Sequence, residues 1–247
     1  MIVQTMSDDE RVFEAFRALN WVLDWQDELS PTVVDRFKRG TRFPYVQSFE
    51  RTDVRGNVWR LLFIVPTKTH KKLGLYGTFC YTTYFLPPKT RNDNNAGRGV
   101  LFYDPIGLKK LLDQLARGEE PVRNSCISDI VPHAINRYVE RCLLKEGKRG
   151  YDIHQIVKDL VLRWCHFDVL ADKAGDKSAA KHADKGICPY DVLIRGGGIL
   201  RGYIVNSGVI RFFTYISPDE MFDNQLDRYN EMLAEHAAWK AKGLVRW

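Results

Sequence analysis

Residues Tyr190–Ser217 read YDVLIRGGGILRGYIVNSGVIRFFTYIS. Three runs rich in β-branched and aromatic residues are separated by Gly196-Gly197-Gly198 and Asn206-Ser207-Gly208, the turn chemistry of tight antiparallel hairpins. The stretch predicts a three-stranded meander. Side chains alternate across a strand, so Ile210, Phe212, Thr214 and Ile216 should share one face, and Arg211, Phe213 and Tyr215 the other. The middle run repeats the division, with Arg201, Tyr203 and Val205 opposite Leu200, Gly202 and Ile204, and Arg195 ends the first run. A simple register therefore gathers basic and aromatic side chains on one side. Two readings follow. Such a face suits RNA, because arginines neutralise phosphates and rings stack on unpaired bases; alternatively it is a second packed layer with its arginines at the rim.

Upstream, Pro132 opens a helix over His133–Lys145 that stops at Gly147. A second helix over about Asp152–His166 carries Ile153, Ile156, Val157, Leu160, Val161 and Trp164 at helical spacing. The charged segment ADKAGDKSAAKHADKG then reads as an exposed loop before the sheet, and a helix from about Pro218 closes the chain. In the first half, Ser7-Asp8-Asp9-Glu10 is a capping box, and a helix is expected from there to about Leu29, with Val12, Phe13, Phe16, Leu19, Val22 and Leu23 inward and Pro31 just beyond its end. Extended runs YVQSFER, NVWRLLFIV, LGLYGTFCYTTYFL and GVLFYD predict a second antiparallel meander, followed by a short helix over about Ile106–Arg117. Gly97 and Gly99 flank Arg98, but no lysine-serine ending or following helix makes this a phosphate loop. The fold class is α+β: antiparallel β-meanders with flanking helices, the C-terminal half running helix, helix, three-stranded sheet, helix. The chain divides either at Gly118-Glu119-Glu120-Pro121, giving regions 1–120 and 121–247, or not at all, as one continuous domain.

Composition narrows the classes. With 247 residues, 45% of them hydrophobic, the chain can bury a core. Its apolar runs fall short of the roughly 20 residues that cross a bilayer, and its first residues lack a basic segment followed by an apolar one, so a cytoplasmic protein without membrane partners is expected. The net charge of +6 favours polyanionic partners through long-range attraction, the alternative being a solvated basic surface. The five cysteines, Cys80, Cys126, Cys142, Cys165 and Cys188, are odd in number and widely spaced, which predicts reduced thiols. Cys165, His166, His182 and Cys188 lack the paired spacing of a zinc site, so no metal and no cofactor are expected.

One further stretch bears on function. VPHAINRYVER, Val131–Arg141, sets His133, Arg137 and Arg141 on one helical stripe about 80° wide, with Ile135, Tyr138, Val139 and Cys142 opposite. Taken alone this describes a solvated face, on which Glu140 pairs with a nearby cation. Yet a helix opening H-x-x-x-R-x-x-E-R, followed by another helix and an antiparallel sheet ending in an aromatic strand, resembles the small nucleases of the barnase–EndoU–colicin–RelE superfamily over residues 130–217. That resemblance implies a helical part packed on an antiparallel sheet and metal-independent RNA cleavage. It places His133, Arg137 and Arg141 at the helix positions of the family's motif and Tyr215 or Thr214 in the terminal strand.

The chemistry so implied is attack by a ribose 2′-hydroxyl on the adjacent phosphate, with proton transfers by His133 and charge stabilisation by arginine. The leading expectation is an RNA-binding protein with metal-independent endoribonuclease activity, a toxin-like or defence effector whose catalytic residues are His133, Arg137, Arg141 and Tyr215. Its RNA would lie on Arg195, Arg201, Tyr203, Arg211 and Phe213, and its N-terminal half would engage a protein partner. The rival is a non-catalytic protein-interaction module. A metal-dependent hydrolase using Asp104, Asp168, Asp172 or the cysteine-histidine group ranks third.

Overall fold

A serine hydroxyl starts the first helix. In the computed structural model, Glu10 N–H donates to Ser7 Oγ (3.3 Å) while the Glu10 carboxylate accepts from Ser7 N–H (2.7 Å), the reciprocal cap expected of this tetrapeptide. The structure describes residues 1–37, 42–72, 76–91, 93, 95–103, 127–164, 188–204 and 209–241. They fall into two compact units, Met1–Pro87 with Gly99–Asp129, and Pro88–Arg98 with Ile130–Trp247. Elements of the first are α1 (Asp8–Arg17), α2 (Leu19–Phe37), β1 (Tyr45–Thr52), β2 (Val58–Val65), α3 (Lys68–Lys72), β3 (Gly77–Leu86), β4 (Gly97–Tyr103) and β5 (Ile127–Ile130), β4 beginning and β5 ending within the second unit. The four expected runs lie in the order β1-β2-β3-β4, with Phe49 opposite Leu61 and Leu61 opposite Cys80 in antiparallel register, and β5, which was not anticipated, lies next to β4.

Three details of the first unit depart from expectation, the first being that the single helix expected from Ser7 to about Leu29 is two, α1 and α2, meeting at Ala18. Pro31 lies inside α2 rather than beyond a helix end; the hydroxyl of Ser30 donates to Gln26 O (2.8 Å) in the turn where proline removes an N–H. Phe13 and Phe16, expected inward, are 59% and 48% exposed, and the Arg17 guanidinium lies over the Phe13 ring (4.8 Å). Val12, Leu19 and Val22 are buried as expected, joined by Ala15, Ala18 and Trp25. Apolar residues cover more than one stripe here, and the sheet takes the one whose alanines permit close approach: Tyr103 Oη donates to the Ala15 carbonyl. Trp59 stacks on Tyr103 (centroids 5.1 Å) and donates to Asp53 (2.9 Å), giving the buried indole both an apolar face and a polar partner.

The second unit holds α4 (Pro132–Tyr138), a π-helical turn (Val139–Leu143), α5 (Ile153–Arg163), β6 (Cys188–Leu193), β7 (Ile199–Ile204), β8 (Ile210–Ile216), a 3-10 turn (Pro218–Glu220) and α6 (Asp223–Ala241). The single α-helix expected over His133–Lys145 changes character at Val139, whose carbonyl accepts from Leu144 N–H five residues on (2.9 Å). Asp152 caps α5, accepting from His154 and Gln155 N–H (both 2.8 Å), and Ile153, Ile156, Val157, Leu160 and Val161 are buried as their spacing requires. Strand order is β8-β7-β6, antiparallel throughout. Helix α6 packs Tyr229 and Met232 on Leu193 and Ile199. The helix expected over Ile106–Arg117, the turn at Gly118–Pro121 and the charged loop before β6 lie outside the described residues, and among those described no helix is long and apolar enough to cross a membrane.

Candidate nucleic-acid interface

The Gly196-Gly197-Gly198 turn joins β6 to β7 with all three glycines at positive φ. Only glycine adopts such values without strain, and a Cβ on Gly198 would lie 2.6 Å from both Ile216 O and Tyr215 Oη. Register then fixes the faces. Leu200 is opposite Tyr215 and Arg201 opposite Thr214, but Gly202 is opposite Phe212, so Phe213 is an extra residue in β8. This is a β-bulge, and it shifts the alternation of everything after it by one residue.

The shift separates residues that simple alternation groups. Tyr215 joins Phe212, Leu200 and Val192 on the side covered by α4 and α5, whereas Arg201, Tyr203, Arg211 and Phe213 share the other side with Asp191. Tyr138 meets Tyr215 edge to face (5.2 Å), and Trp164 meets Phe212 likewise (5.4 Å). Tyr215 is 1% exposed, its hydroxyl donates to Gly197 O, and burial pushes that hydroxyl well above the usual phenol range. The expectation that Tyr215 stands beside Arg211 and Phe213 is thus corrected by one inserted residue.

On the opposite side, Arg201 donates to both oxygens of Asp191 (3.1 and 2.9 Å), a fork-shaped pairing across β6 and β7. Beyond it the Tyr203 and Phe213 rings lie 5.5 Å apart, tilted 53°, with Arg211 directly across from Tyr203. Phe213 is 38% exposed; Tyr203 and Arg211 are half-buried. Arg195, exposed at the end of β6, is fixed through its N–H to Arg163 O (2.7 Å).

The helix stripe lies elsewhere. Because α4 buries Ala134, Ile135 and Tyr138 toward the Tyr215 side, His133, Arg137 and Arg141 are not brought together with Arg201, Tyr203, Arg211 and Phe213. His133 is half-buried in the first helical turn. Arg137 donates to Glu140 (2.7 Å), as helix spacing anticipated. Arg141 donates to Tyr215 O (2.9 Å) and pairs with Glu220 (2.9 Å), tying the π turn to the end of β8.

A side-chain cluster not singled out in the sequence links α4 and the turn around Glu146 to α5. Arg163 donates through both terminal nitrogens to Glu146 (2.7 and 2.5 Å) and pairs through Nε with Asp159 (2.8 Å), which also accepts from Lys148 (2.6 Å) and Tyr138 Oη (2.6 Å). Two cations face two carboxylates, and hydrogen bonds from Arg163 hold Glu146 down at about 2. Only the Asp159–Arg163 spacing of four was visible beforehand. Among the described residues no group of three metal-ligating side chains is assembled. Cys165, His166, His182, Asp104, Asp168 and Asp172 lie outside the described residues.

Comparison with known proteins adds no relative. No family model, curated protein or solved structure matches this chain. The functional reading therefore rests on the faces themselves.

Proposed function

We propose that the protein binds single-stranded RNA on the side of β6–β8 whose Leu193–Ile199 end carries α6, at the part beyond that helix contact, through Tyr203, Phe213, Arg211 and Arg201. The observation that carries the reading is the paired rings: Tyr203 and Phe213 sit 5.5 Å apart on one sheet face, beside Arg211, with Phe213 turned to solvent. Base stacking on such a ring is worth about 1–3 kcal/mol and tolerates any base, while a guanidinium beside it supplies positive charge toward the phosphates. Arg201 is already paired with Asp191, so it serves better to hold the face in shape than to neutralise phosphate. Binding without cleavage is the better-supported form of the proposal, because His133, Arg137 and Arg141 lie toward the other side of the sheet and Tyr215 is buried with its proton donated to a backbone carbonyl. The resemblance to the barnase–EndoU–colicin–RelE nucleases supports RNA as ligand more than it supports the catalytic set.

The test is fluorescence anisotropy of labelled single-stranded and duplex RNA across a salt series. Wild type should prefer the single strand and weaken steeply with salt, and Phe213→Ala should weaken binding about tenfold. A parallel incubation of end-labelled RNA in EDTA, wild type against His133→Ala, should leave the RNA intact; cleavage lost only in the variant, with 2′,3′-cyclic phosphate ends, would restore the nuclease reading. A second reading, a protein-interaction module, draws on Phe13 and Phe16, two large aromatics left outward on α1. It predicts no RNA binding and a partner lost on Phe13→Ser.

A further inference from the structure

The second unit contains a cleft of about 340 Å³ that the RNA face does not use. Its floor is formed by Ile135, Ile153 and Ile156, all buried, where α4 meets the start of α5. Val139 and Leu144 form one wall, and these are the two residues joined by the π-type hydrogen bond (2.9 Å). A π turn carries one more residue than an α turn, which widens the helix surface at this point. Leu144 is left 45% exposed along the opening.

Polar groups stand only at the mouth. Arg98 is exposed there and has no ionic or hydrogen-bond partner among the described residues. Asn136 lies beside it, its amide donating to Ala96 O (3.3 Å). Glu140 also reaches the rim, but its charge is taken by Arg137 (2.7 Å). The site is thus an aliphatic trough ending at one uncommitted guanidinium. Its volume lies at the small end of the roughly 300–1,000 Å³ typical of small-molecule sites, too little for a helix of a partner protein.

We propose that this cleft binds a straight-chain aliphatic carboxylate, with the chain along Ile135, Ile153, Ile156 and Val139 and the carboxylate on Arg98. The apolar floor selects an unbranched alkyl chain by area, and the planar fork of Arg98 selects a carboxylate over a hydroxyl. This proposal stands independently of RNA binding, since none of the cleft residues belongs to the β6–β8 face.

Calorimetric titration of the full chain with hexanoate, octanoate and 1-octanol tests it. Saturable one-to-one binding is expected, tightening about fourfold for each added methylene, with octanol about tenfold weaker than octanoate. Arg98→Gln, on the surface, should remove the preference for octanoate over octanol while leaving the fold unchanged. Val139→Trp should fill the trough and abolish binding of both; should that variant fail to fold, Arg98→Gln alone decides. Absence of saturable heat with octanoate up to about 1 mM, affinity independent of chain length, or undiminished octanoate preference in Arg98→Gln would each overturn the assignment.

Discussion

Replacing Tyr215 by phenylalanine separates a structural tyrosine from a catalytic one. The ring is fully buried against Tyr138, and the hydroxyl makes one donation, to the half-buried carbonyl of Gly197. Losing a neutral hydrogen bond of this kind costs about 1 kcal/mol net, near the lower end because Gly197 O keeps some access to water. For a unit of this size that amounts to a fall of roughly 4 °C in Tm. Tyr215→Ala additionally empties the space of a whole ring and should cost about 3–5 kcal/mol. Urea denaturation measures both, and RNA anisotropy on folded Tyr215→Phe should match wild type. A phenylalanine variant of unchanged stability that loses RNA binding or cleavage would refute the placement of Tyr215 in the core and return it to the site.

Arg141→Ala should lower stability by about 1–2 kcal/mol in the same urea assay, by releasing Tyr215 O and Glu220, without changing RNA affinity or its salt slope. Hydrogen bonding from Arg55 to buried Glu14 holds its carboxyl at about 2 instead of 4.5. The folded state therefore binds this proton less readily than the unfolded chain: the stabilisation is complete above about pH 4.5 and is lost as pH falls toward 2. Glu14→Gln should cost about 2 kcal/mol at neutral pH, allowing for screening at the partly exposed Arg55, and should flatten the acid limb of a stability–pH curve in that window. Gly198→Ala, at φ +106° and facing Ile216 O and Tyr215 Oη at 2.6 Å, should cost about 3 kcal/mol or more and broaden the hairpin resonances in NMR spectra. Cys80 and Cys142 are buried, and burial raises both thiols; site-resolved mass spectrometry after brief thiol labelling should find them unmodified in native protein and modified in urea.

Much of the architecture was legible along the chain. The capping box at Ser7, the glycine turn after β6 and the alternation of β7 and β8 are local signals, set by backbone hydrogen bonding and side-chain period, and they point to the element order and the α+β class. Burial of Ile135, Tyr138 and Cys142 opposite the His133 stripe likewise followed from helical spacing. What periodicity left open was decided by packing. On α1 the inward position beside Val12 went to Ala15 rather than to Phe13 or Phe16, and there the Ala15 carbonyl accepts from Tyr103 Oη. The single residue Phe213 was extruded from the β7–β8 register, and because strand side chains alternate with period two, that one insertion moved Tyr215 from the Arg201–Arg211 face to the side covered by α4 and α5. The sequence by itself thus determined which segments are helix and strand and which side chains alternate; only the tertiary structure decided which side of the sheet Tyr215 occupies, since a bulge arises from pairing with another strand and leaves no trace in the strand's own residues.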